Sequence, residues 1–174
     1  MSQNYWRHTL EFYQIENTEP ELLWKELWED HSFLGDTIRD VNGDDQLDIL
    51  TNYYPNSGCC RRNCFWVRPY DRDSQIYQEK IRLTNPTFYP EEKTVRGVFY
   101  GHPGEVPLYK MKWNKNKLDT VEYIYPLKEN SHRYLLTNER KVWAGKEITK
   151  KDRLIEEIPE EYRNVEDLDW FINY

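Results

Sequence analysis

What this 174-residue sequence has little of narrows it first. Alanine occurs once, at Ala144, and methionine twice, so two of the strongest helix formers are nearly missing. No uncharged apolar run approaches the roughly 18–20 residues of a membrane-spanning helix, which excludes that class. A basic excess is missing too: 24 Lys and Arg stand against 31 Asp and Glu, a formal charge of −7. Phosphate backbones select basic faces, so this balance argues against nucleic acid and leaves cations and basic proteins as partners. Only seven glycines occur, and none builds a phosphate-cradling loop. Gly-x-Ser-x-Gly and His-Glu-x-x-His are also missing. The many acids guarantee carboxylate pairs, but none is marked by context as an acid/base couple. His8, His31, His102 and His132 are scattered. The chain reads as a binding protein, not an enzyme.

What is present favours strands. Val, Ile, Thr, Phe, Tyr and Trp supply 55 residues, the set that suits a pleated, half-buried surface. Leu, Ile, Val and Phe number only 39, but 21 Trp and Tyr add enough large side chains to fill a core. The expectation is a mainly β protein of antiparallel hairpins in a single domain over 1–174, propeller-like or a barrel or sandwich, with a short helical C-terminal segment.

Along the chain, Met1 to Trp6 shows neither a basic nor an apolar leader region. That fits a cytosolic protein or a chain whose export signal is not included. Thr9 to Ile15 alternates at period two, with Leu10, Phe12 and, after a slip, Ile15 on the apolar side. Glu21 to Trp28 reads as the second strand of a hairpin. Thr18 and Glu21 also resemble a capping box, so a helix competes there. Thr94 to Tyr100 is strand-like, and Gly101 to Gly104 is a turn. Leu108 to Trp113 places Tyr109, Met111 and Trp113 on one face, Asn114 to Lys117 reverses the chain, and Leu118 to Tyr125 alternates again. The aromatics Tyr109, Trp113, Tyr123 and Tyr125 read as core, with a sugar-binding groove as the alternative. Asp152 to Asn173 carries acids around Ile155, Ile158, Tyr162, Leu168, Trp170 and Phe171. It predicts short helical turns, broken by Pro159, docked on the sheet.

The segment richest in chemistry is Asp40-Val41-Asn42-Gly43-Asp44-Asp45-Gln46-Leu47-Asp48. Oxygen-bearing side chains fall at positions 1, 3, 5 and 9, and the Gln46 backbone carbonyl stands at position 7. Calcium takes six to eight hard oxygens, and a curled loop offers them at alternate residues. Acids this close repel one another unless a cation sits among them. The candidate ligands are therefore Asp40, Asn42, Asp44, Gln46 and Asp48. An EF-hand is excluded, because its twelfth position, a bidentate Glu, is Thr51 here. The flanks are β-like, so the loop should join two strands. Position 6 is Asp45 where calcium loops favour glycine, so Asp45 must enter the left-handed region at some cost.

The run Asp-x-Asn-x-Asp-x-x-x-Asp before apolar β residues resembles the loop of VCBS/FG-GAP-type repeats, the blade modules of integrin-α-like propellers. That resemblance implies calcium held between strands of a blade. The longer stretch Asp40 to Tyr125 is similar to bacterial exported proteins related to periplasmic inhibitors of invertebrate-type lysozymes. That group includes immunity proteins against cell-wall hydrolase effectors. The pattern consists of the acidic loop, an apolar strand, a Ser-Gly loop, an aromatic strand and Leu83-Thr84-Asn85-Pro86-Thr87-Phe88. A hairpin from Tyr109 to Leu118 completes it. It implies a periplasmic or cell-surface protein that binds and inhibits a peptidoglycan hydrolase. A calcium-stabilised interaction module without inhibitory activity is the alternative.

Between two apolar strands lies Pro55-Asn56-Ser57-Gly58-Cys59-Cys60-Arg61-Arg62-Asn63-Cys64. In the resembled inhibitors a Ser-Gly loop followed by an aromatic enters the enzyme's cleft. The matching positions are Ser57 and Gly58, with Phe65 nearest to the aromatic, and the interposed cysteines and arginines depart from that pattern. Cys59, Cys60 and Cys64 are disulfide candidates. Cys60–Cys64 or Cys59–Cys64 would close a short ring in an oxidising compartment, and one thiol is left over in any pairing.

Overall fold

The computed structural model describes residues 7–16, 18–29, 31–55, 63–102, 104–127, 133–141 and 148–172. Short alternating segments pair with their sequence neighbours, so the molecule is built from antiparallel meanders. β1 (Arg7–Glu16) and β2 (Glu19–Glu29) form a hairpin. The residues from Glu21 onward are thus a strand, and the Thr18–Glu21 capping pattern does not start a helix. β3 (His31–Arg39), β4 (Asp48–Pro55), β5 (Cys64–Arg68) and β8 (Ile81–Thr84) make a four-stranded sheet in that order. A small hairpin, β6 (Tyr70–Asp71) and β7 (Ile76–Tyr77), is inserted before β8. β9 (Pro86–Tyr89), β10 (Thr94–Val98), β11 (Leu108–Asn114), β12 (Lys117–Pro126), β13 (Tyr134–Thr137) and β14 (Arg153–Ile155) form a six-stranded sheet. Among the described residues no closed barrel forms.

Three apolar clusters fix the layer order. Leu50, Val67 and Leu83 of the four-stranded sheet pack on Val95, Tyr109, Trp113, Tyr123 and Leu135 of the six-stranded sheet. The expected core aromatics sit there, and Tyr109, Met111 and Trp113 do share a face. On its other side the four-stranded sheet carries Tyr53, Cys64 and Trp66, covered by Leu10, Phe12 and Trp24 of the first hairpin. The far face of the six-stranded sheet, with Val98, Leu108 and Ile124, is covered by Tyr162, Val165 and Phe171. Those residues belong to the C-terminal segment, which docks as expected through a 3-10 turn (Glu160–Tyr162) and α1 (Leu168–Ile172). Inner strands β4 and β10 are covered on both faces, so they bury almost every residue.

Asn85 makes the corner between the two sheets. It is buried with φ +47°, a left-handed conformation that Asn tolerates. Its Oδ1 accepts the Asn63 N–H at 2.6 Å, and its Nδ2 donates to the Val98 carbonyl at 3.1 Å. Among the described residues, no helix is long and apolar enough to cross a membrane.

Candidate metal centre

The acidic loop joins β3 to β4, at the edge of the middle sheet. Its spacing folds it locally. Asp40 Oδ1 accepts the N–H groups of Asn42 (3.0 Å) and Gly43 (2.7 Å), and Oδ2 accepts that of Asp45 (2.9 Å). Asn42 Oδ1 accepts the Asp44 N–H, and Asp44 Oδ1 accepts the Gln46 N–H. Short polar side chains that bond backbone two residues on curl a chain without help from sheet or helix. Asn42 Nδ2 also donates to Asp44 Oδ2 at 3.0 Å. Gln46 is placed by its own N–H and by its amide donating to the Asp45 carbonyl.

Two left-handed residues complete the curl. Asp45 has φ +63°, as its position in the loop demands. Gly43 has φ +75°, and a Cβ there would lie 2.2 Å from the Pro90 carbonyl oxygen. Pro90 opens the 3-10 turn between β9 and β10, so the loop rests against the second sheet at a point only glycine permits.

Asp48 closes the structure from the opposite side. Its side chain is 0% exposed. Oδ2 accepts the Val41 N–H and Oδ1 the Tyr70 N–H, both at 3.0 Å. One carboxylate thus ties the start of the loop to the start of β6. Burial pushes its pKa from the ordinary 3.8 up to about 6; the two N–H groups oppose the rise, and Asp44 and Asp40 add to it. No Lys or Arg forms an ion pair with Asp40, Asp44, Asp45 or Asp48 among the described residues.

The donor set is hard oxygen throughout, the kind calcium takes; Asp40 Oδ1 is filled by two N–H groups, while Asp40 Oδ2, both Asp48 oxygens and Asp44 Oδ1 and Oδ2 each accept one and keep lone-pair capacity. By donor chemistry the loop fits the ion. The oxygens are not yet gathered around one point: among the described residues no three His, Cys, Asp or Glu side chains form a metal-holding group.

The other sequence candidates separate. Ser57, Gly58, Cys59 and Cys60 lie outside the described residues. Cys64 is a buried free thiol whose Sγ lies 3.9 Å from Thr84 Oγ1; the other two disulfide candidates, Cys59 and Cys60, lie outside the described residues. Phe65 stands on the inter-sheet face of β5, its ring edge-on to Phe88 at 6.1 Å, and that placement gives it a packing role. Sequence reading missed the Tyr70 N–H and the Pro90 contact. Neither has a local signal, because each comes from chain far from the loop. A scan of protein-family models, a search of curated proteins and a search of solved structures each return no match.

Proposed function

We propose that this chain is a calcium-stabilised binding protein rather than an enzyme. The observation that supports it is Asp48: a fully buried carboxylate, flanked by Asp40 and Asp44, with no cationic side chain among the described residues paired to the group. A divalent cation would supply the missing positive charge. Asp40, Asn42, Asp44, the Gln46 carbonyl and Asp48 are the groups that would hold it. Without a bidentate Glu the site would be weak, of the kind suited to extracellular modules that meet calcium at about 10⁻⁴–10⁻³ M. A periplasmic or cell-surface location follows from that reading.

Ligand that binds only the folded loop stabilises by mass action, about 2.7 kcal/mol at a hundredfold excess over Kd. Thermal melts in calcium and in chelator measure this. The melting temperature should rise with calcium, and Asp44→Ala should abolish the increment. Identical melts in both buffers would remove the metal from the proposal.

The resemblance of Asp40–Tyr125 points to a peptidoglycan hydrolase as the partner, which the chain would inhibit. A net charge of −7 would speed encounter with a basic enzyme. Slowed lysis of cell-wall substrate by the purified chain is the expected result. The packing of Phe65 favours a second reading, a calcium-stabilised interaction module that captures a surface protein without affecting lysis.

A further inference from the structure

A cleft of about 470 Å³ lies where the β1–β2 hairpin, the middle sheet and the β6–β7 hairpin meet. That is within the roughly 300–1,000 Å³ typical of small-ligand sites. Tyr13 and Trp24 line it from the first hairpin, Tyr70 and Tyr77 from the small one, and Ile49 and Arg68 from the sheet. Tyr13 is left half exposed, so part of this aromatic surface faces solvent and not the core.

Charge chemistry narrows the ligand. The one cation lining the cleft, Arg68, is held by Glu26 at 2.6 Å and stacked over Trp24 at 4.0 Å. Among the described residues no carboxylate lines the cleft. An anion would have to compete with Glu26 for Arg68, and a cation would have to displace Arg68 and Lys80 from Glu26 or Lys25 from Glu11. Among the described residues the other polar side chains lining it are uncharged: Tyr70 and Tyr77, Tyr13, whose hydroxyl already donates to Glu11 Oε2 at 2.7 Å, and the amides of Gln14 and Gln75. Gln75 is notable for its backbone, with φ +58° at the end of the β6–β7 turn. Glycine would sit there without strain, yet the position carries a long amide at the edge of a cleft.

We infer that this cleft binds a neutral saccharide of one or two rings. Flat aromatic surfaces suit the C–H faces of a sugar, and amides suit its vicinal hydroxyls. A purely apolar ligand would leave the Gln75 amide unused. The inference does not rest on calcium binding.

Titration calorimetry of the full chain with neutral disaccharides of glucose, galactose and N-acetylglucosamine tests it, with a proline-rich peptide run in parallel because such peptides also use aromatic walls. At least one saccharide should bind with one-to-one stoichiometry. Tyr13→Ala and Gln75→Gly should each weaken it about tenfold. Both positions are exposed, and Gln75→Gly relieves the left-handed backbone, so melting temperatures should hold. Binding of the peptide but no saccharide, no heat from any saccharide at millimolar concentration, or wild-type affinity in both variants would overturn the inference.

Discussion

Two stretches of this chain are conspicuously acidic, the loop Asp40–Asp48 and the segment Asp152–Asp169, and the fold treats them in opposite ways. Two of the C-terminal acids, Glu161 and Asp152, meet cations from chain outside their own segment. Arg96 and Lys110 stand directly opposite each other on β10 and β11. Two like charges in that relation repel. Glu161 resolves it, accepting from Arg96 at 2.9 Å and Lys110 at 2.6 Å, while Glu92 holds Arg96 from its own side. Burial works to raise the Glu161 pKa, but Lys110 and Arg96 win and leave it lowered. Asp152 is lowered by Lys141 first, then by the Thr149 N–H. In the loop no such cation is present among the described residues, and Asp48 moves the other way. The sign of a charge run thus says little by itself. What counts is whether the surface beneath carries its complement.

Removing the complement from the paired stretch should have the largest effect. Arg96 is 1% exposed, spans two carboxylates and stacks over Tyr89 at 4.3 Å. Arg96→Ala leaves a cavity in a strand buried on both faces and should cost about 4 kcal/mol in urea unfolding. A loss under about 1 kcal/mol would mean that the C-terminal segment is held by Tyr162, Val165 and Phe171 alone, and the contrast with the loop would lose its basis.

The unpaired stretch has its own signature, in pH. A carboxyl whose folded pKa lies above its unfolded value takes up its proton more readily when folded. Its contribution to stability is complete below about pH 4 and is lost as pH rises through about 6. For Asp48, with no metal, that amounts to about 3 kcal/mol between pH 4 and 7. Glu92, Glu161 and Asp152 have lowered values, so they contribute above the ordinary carboxylate range and lose it as pH falls. In chelator, stability should therefore peak on the acid side of neutrality. Asp48→Asn should flatten the limb above the peak and leave the acid limb in place. Denaturant midpoints across pH 3.5–7.5 decide this, and a limb unchanged by Asp48→Asn would assign it to another group.

Much of this architecture was legible because period two and turn chemistry are local. The slip read before Ile15 is a real register shift, at Phe12/Tyr13. Ile15 is nonetheless exposed, as are Leu22, Leu23 and Leu27, because a two-stranded hairpin can cover the sheet with one face only. β3 went mostly unread for a related reason. It is an edge strand with Leu34 and Ile38 in solvent, so its apolar residues mark no core face. The loop's spacing correctly signalled its curl, down to the left-handed Asp45. Which of its acids would be buried was not legible, since Asp48 is held by the Tyr70 N–H at the start of β6, far along the chain. Arg96 was equally hidden, looking like any polar strand residue until the C-terminal segment covers it.

The smallest expected effect tests whether the contrast is one of specific contacts or of general field. Glu160 neighbours Glu161 in sequence, but its side chain is 86% exposed and reaches only Arg163, at 3.5 Å. Surface pairs of this kind are worth about 0–1 kcal/mol. Glu160→Gln should therefore leave the urea midpoint almost unchanged, whereas Glu161→Gln, which loses bonds to both Arg96 and Lys110, should lower it clearly. If the two variants cost the same, the segment's acids act as a diffuse negative field on β10 and β11. The distinction between a stretch that meets cations on the surface beneath it and one that does not would then be a matter of net charge alone.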